Sequence, residues 1–155
     1  NKGSLGVPEI WTRYVEADAG GFFQRVVLSV CLRSHAIAAA LNIDDPDDLG
    51  PAQKHFLHHI AAGMQKFLAE STHLSEKELE RKAHHLGVRH RQLVVNPKFR
   101  AMMQSEADHW EVVVLAMTEA LEELSPAPSP LEAQAWRQFI GSVVHFMRQV
   151  TKVEG

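Results

Sequence analysis

Apolar residues recur every three or four positions from one end of this chain to the other, and nowhere do they alternate. Phe99, Met102, Met103, Ala107, Trp110, Val113, Val114, Met117 and Leu121 form the clearest run. That spacing lines side chains along one face of an α-helix. No stretch has the period of two that a strand needs, and no Asn-Gly or Asp-Gly pair marks a hairpin. The chain is therefore expected to be all-α, and each amphipathic helix must bury its stripe against a neighbour.

Breakers and caps divide the pattern into about seven helices. Pro8 opens a first helix carrying Ile10, Trp11, Tyr14 and Val15 inward, and Gly20-Gly21 ends it. A long helix then runs from Phe22 to Ile43, with a break near Ser34-His35. The acidic stretch from Asp44 to Pro51 is a loop. Pro51 starts the next helix, which reaches about Glu70. "SEKE", Ser75 to Glu78, is a capping box that starts another. Asn96-Pro97 opens a helix expected to run unbroken past Leu121. "SPAPSP", Ser125 to Pro130, cannot be helical. The last helix buries Trp136, Phe139, Ile140, Val143, Val144 and Met147. Residues 8–152 are read as one domain, and residues 1–7 as a disordered segment or cloning remnant.

With 155 residues, 45% of them apolar, the chain has the material for one well-buried core. A net charge of −3 gives no basic excess for nucleic acid or an anionic membrane surface. No apolar run approaches the roughly 20 residues of a membrane span. The single cysteine, Cys31, excludes an intrachain disulfide or a cysteine zinc cluster and fits a reducing, cytoplasmic compartment. It sits mid-helix among apolar residues, where an inert thiol is expected. No nucleophilic triad and no phosphate-binding glycine loop is legible, so an enzyme is not expected.

The compositional anomaly is histidine, with ten in the chain. Most read as solvated surface residues. Two do not. In "FLHHIAAGMQKFL", a helical wheel at about 100° per residue groups Phe56, Ile60, Gly63, Met64 and Phe67 on one side. His59 falls on the edge of that face and His58 opposite it. In the following helix, Leu79, Ala83, Leu86 and Leu93 share a stripe with His90, whereas His84 and His85 do not, provided the helix continues through Gly87. An inward imidazole must satisfy two ring nitrogens. A core histidine bonded to a backbone carbonyl does so. So does a shared metal, because neutral imidazole is a common metal ligand. The lining has no carboxylate or thiol to hold a hard cation or a structural zinc. An apolar slot with two imidazoles suits haem, whose porphyrin supplies the four in-plane nitrogens.

"FLHHIAAGM", followed about twenty residues later by "LGVRH" and then by "FRAMM" and "AWRQFIGSVVHFM", resembles a globin over almost the whole chain. The likeness is nearest to the neuroglobin-like and nematode neuronal globins with bis-histidyl iron. The resemblance implies a globin fold around haem b, with His90 as the proximal ligand and His59 as the distal one. It places Leu86 and Arg89 beside the haem with His90, and Val94 and Val95 in the turn that follows. Phe99 and Met103 line the pocket from the next helix, Phe56 lies on the distal helix, and Val27 sits above the distal face with Gly63. Leu41 stands where globins carry a phenylalanine wedged on the haem, His35 where they carry a proline, and the Asp44–Gly50 loop is short. Gly63 replaces the bulky aliphatic that globins carry one turn after the distal histidine. That lets helix and haem approach and favours direct coordination by His59, unless the glycine merely accommodates Trp110 or Phe22.

Three functions follow from this reading. The first is a bis-histidyl haem protein for redox sensing, signalling or electron transfer with an unidentified redox partner, in which O2, NO or CO binds only when His59 leaves. The second is an oxygen-binding globin with an open iron. The third is a haem-free helical interaction module in which His59 and His90 are ordinary core residues.

Overall fold

A computed structural model describes residues 6–105 and 107–151, and every described regular element is helical. The expected remnant, residues 1–7, lies outside the described residues except for Gly6, which caps the first helix, and Val7, which starts it. Helix α1, Val7–Ile10, is a single turn that continues through a widened turn at Trp11–Val15 and a tight one at Glu16–Asp18. Seven α-helices follow: α2, Ala19–Arg33; α3, His35–Ala40; α4, Pro51–Ser71; α5, Glu76–Arg91; α6, Pro97–Gln104; α7, His109–Glu122; and α8, Pro130–Thr151.

Local chemistry sets most boundaries. Ser34 is extended, at φ −133° and ψ 105°, and its hydroxyl accepts from Ile37 N–H, so the expected break separates α2 from α3. The Ser75 hydroxyl accepts from Glu78 N–H while the Glu78 carboxylate accepts from Ser75 N–H, the reciprocal box read from "SEKE". Asn96 caps α6 through Lys98 and Phe99 N–H.

Two boundaries differ from expectation. Gly20-Gly21 do not end the first helix; they lie in the first turn of α2. The Asp18 carboxylate accepts from Gly21 N–H at 3.3 Å, and this cap outweighs the poor helix propensity of glycine. The helix after Pro97 is also broken. Ser105 is extended and accepts from Ala107 N–H, and Asp108 then caps α7 through Glu111 N–H. Short polar side chains that bond the local backbone offset the apolar periodicity on either side.

The helices pack in pairs. α2 lies against α4 and α7, α8 lies against α5, α7 and α1, and α3 lies against α6. The main core centres on Trp136, Phe22, Phe23, Ile10, Leu121 and Ile140, each at most 2% exposed. Phe22 meets Phe23 and Trp136 edge-on, with centroids 5.0 and 6.0 Å away, a favoured aromatic geometry. The Trp136 indole N–H donates to Met117 O at 3.1 Å, joining α8 to α7. Glu132 is buried at the start of α8, where its carboxylate accepts from Ser129 N–H and from the Tyr14 hydroxyl. A smaller cluster of Val27, Cys31, Ala38, Ile43 and Leu57 fills the corner between α2, α3 and α4. Among the described residues no helix is long and apolar enough to cross a membrane.

Gly87 allows a close approach of α5 to α8. A Cβ built there would lie 2.8 Å from Met147 O and 3.2 Å from Met147 Cα on α8, and would also collide with the Val150 side chain. α5 continues through this glycine, as the histidine geometry requires.

Candidate functional site

α4 and α5 follow one another in sequence but dock on different partners. α4 lies on α2 and α5 on α8, and among the described residues the two share no extensive packing with each other. They are tied at the turn that joins them. The Lys82 ammonium lies 3.2 Å from a Glu70 carboxylate oxygen, donates to Phe67 O at 3.5 Å and sits 5.0 Å above the Phe67 ring. The turn between the two helices is thus braced. His59 is twelve residues before the end of α4 and His90 fourteen after the start of α5. At 1.5 Å per residue these are about 18 and 21 Å of helix from the turn.

His90 is half-buried near the end of α5, and its Nδ1–H donates to Leu86 O at 2.9 Å. Burial lowers its pKa, the Leu86 carbonyl acts in the opposite sense, and the Arg89 charge lowers it further. The ring is thereby kept neutral, with its tautomer set by the carbonyl and the Nε2 lone pair unspent. A metal-binding histidine takes this arrangement, with one nitrogen held and the other offered. So does a core histidine that satisfies one ring nitrogen on the backbone. Leu86 and Val94 are half-buried, Arg89 is exposed and Val95 is 88% exposed. Phe99 and Met103 on α6 pack against the edge of the main core.

The distal face needs correction. The expected stripe of Phe56, Ile60 and Gly63 is not the face that α4 buries. Leu57, Ala61 and Leu68 are buried, Ile60, Met64 and Phe67 are half-buried, and Phe56, His59 and Gly63 are exposed. His59 does not lean into the protein core. The apolar residues of α4 cover a wide arc, and the surface of α2 takes the part centred on Leu57 and Ala61. Val27 is 1% exposed and packs with Leu57 and Cys31 in the corner cluster. Leu41 ends α3 and is half-buried between the two clusters. Gly63 does not accommodate Trp110 or Phe22, since a Cβ built on it would meet nothing within 4 Å.

Exposed apolar surface gathers on these two arms. Of the six most exposed large hydrophobic residues, Phe56, Val88, Leu93 and Val95 belong to α4, α5 and the tight turn Gln92–Val95 that follows. Among the described residues no group of three or more His, Cys, Asp and Glu side chains is placed to hold a bare metal ion. α4 carries His55, His58 and His59, all exposed, and α5 carries exposed His85 with half-buried His84 and His90.

Sequence reasoning passed over the Lys82 brace and the role of Gly87. Neither has a periodic signature, because each acts on a neighbour distant in the chain. Cys31 is buried, and burial pushes its thiol up to about 11, in keeping with the inert role expected. The chain matches no family model, no curated protein and no solved structure.

Proposed function

We propose that this chain is a globin-type haem protein in which His90 and His59 take the two axial positions, serving redox sensing, signalling or electron transfer with gated access for O2, NO or CO. The observation that carries the reading is the His90 ring: half-buried, fixed by the Leu86 carbonyl, and presenting an unspent nitrogen on a helix that parts from α4 beyond their shared turn.

Bound there, haem would supply a one-electron iron couple and a place for a diatomic ligand. The chain's own residues do the rest. The Leu86 carbonyl orients the His90 imidazole and makes it a better electron donor. Leu86 and Val94, half-buried, and the exposed Phe56 and Val95 would offer apolar surface to the group, with Phe99 and Met103 at the core edge. Arg89, exposed one residue before His90, would be available to a carboxylate of the group. His59, on an exposed flank with small Ala62 and Gly63 nearby, has the room to approach or withdraw.

The test is haem uptake followed by a spectrum. Wild-type protein is expected to take up one haem, and His90→Ala to lose it. The deoxygenated ferrous form is expected to show sharp, separate α and β bands that His59→Ala converts to one broad band. A broad band in the wild type selects the oxygen-binding alternative with open iron. Failure to take up haem at all overturns both and leaves a haem-free helical module.

A further inference from the structure

A second group of histidines lies where α5 meets α8. His84 Nε2–H donates to the Gln149 side-chain oxygen at 2.7 Å, and the Gln149 amide N–H donates to His145 Nε2 at 3.3 Å. Two imidazoles from two helices therefore aim the same ring nitrogen at one amide. Both pack on one aromatic floor, with Phe146 centroids 6.0 Å from His84 and 5.6 Å from His145. Their backbones are held by a close crossing, where Gly87 lies one turn beyond His84 and meets Met147. His145 is exposed and His84 half-buried, so the group is open to solvent. A shallow cleft of about 310 Å3 adjoins it, lined by Phe146, Glu76, Lys77 and Glu80. Glu80 precedes His84 by one turn on α5, so carboxylates lie on the approach, opposed by the single charge of Lys77.

We propose that His84, His145 and Gln149 form a site for a borderline divalent cation, Zn2+ first, that clasps α5 to α8. Imidazole nitrogens suit this class of metal, and they recur on adjacent helical turns in zinc sites. His145 and Gln149 have that i, i+4 spacing on α8, and His84 supplies the cross-helix ligand. Binding needs the His84 proton to move from Nε2 to Nδ1, with no net loss from the neutral ring. It also needs the exposed His145 side chain to rotate inward, with Gln149 contributing its side-chain oxygen and water completing a four-coordinate shell. The clasp sits six residues before His90, about 9 Å along the helix. The site does not rest on the haem reading, and its test uses the haem-free chain.

The experiment is calorimetric titration with Zn2+, paired with melting temperature. The expected result is one equivalent bound and a rise in Tm. His84→Ala and His145→Ala should each weaken binding on the order of tenfold or more, while His85→Ala leaves it unchanged. Gln149→Glu, which places a carboxylate between the two imidazoles, should tighten binding on the order of tenfold, an effect that misfolding cannot produce. The proposal is overturned if Gln149→Glu does not tighten binding. It is equally overturned if binding persists in His84→Ala and His145→Ala but disappears in His55→Ala/His59→Ala, which would put the ion on the exposed face of α4.

Discussion

Replacing Gly87 with alanine tests the close crossing of α5 and α8, and Gly63→Ala is its matched control. Both glycines lie inside long helices, so in each case alanine gains about 1 kcal/mol of helix propensity. Their surroundings differ. At position 63 the new methyl meets nothing within 4 Å, and the gain should appear in full. At position 87 it lies 2.8 Å from Met147 O and 3.2 Å from Met147 Cα. Those are backbone atoms, which cannot rotate away as a side chain can, so α5 and α8 must separate. Overpacking of this kind costs about 1–3 kcal/mol, and the backbone contact puts it near the upper end. Gly87→Ala should therefore be less stable than wild type by about 1–2 kcal/mol and less stable than Gly63→Ala by about 2–3 kcal/mol. For a chain of this size that is a gap in Tm of roughly 4–12 °C between the variants. Urea unfolding and thermal melts of the haem-free proteins measure it. A Gly87→Ala protein that melts at or above wild type would refute the crossing.

Other consequences follow from buried polar groups. Trp136→Phe removes the indole donor from Met117 O inside the core and should cost about 1–3 kcal/mol by urea unfolding. Glu132 is held below the usual carboxylate range, chiefly by Ser129 N–H and also by the Tyr14 hydroxyl, while burial opposes the shift. Its folded pKa lies under its unfolded one, so its contribution is present above the unfolded value of about 4.5 and is lost as pH falls through the folded pKa. Glu132→Gln should therefore flatten the acid limb of a Tm-against-pH curve, and an unchanged limb would contradict the assignment. Cys31, with its thiol pushed up to about 11 by burial, should resist thiol reagents at neutral pH until the chain unfolds. Labelling of the native protein as fast as that of the urea-unfolded chain would show the site to be open.

The starts of the helices were legible because the signals are local. Ser34, Ser75, Asn96 and the Pro51 and Pro130 starts act within a turn of their own position, and each is where the sequence put it. The missed break at Ser105–Asp108 was local as well, but its polar caps interrupt a strong apolar rhythm that masked them. The two site helices contrast in the same way. On α5 Leu79 and Ala83 of the expected stripe are buried and Leu86 and His90 are half-buried beside them, but Leu93 falls in the turn beyond the helix and is exposed. On α4 the arc from Phe56 through Ile60 and Met64 to Leu57, Leu68 and Ala61 spans about 140°. A wheel gives the angles between those residues but not which of them meets a neighbour.

The sequence by itself determined an all-helical chain, most of its boundaries, much of the core contributed by the first and last helices and a buried thiol. Periodicity and capping are properties of neighbours along the chain. Tertiary structure alone decided the rotation of α4 that leaves Phe56, His59 and Gly63 exposed, the parting of α4 and α5 beyond the Lys82 brace, and the convergence of His84 and His145 on Gln149. Each of these depends on which helix surface lies opposite, and residues far apart in sequence settle that together only when the chain has packed.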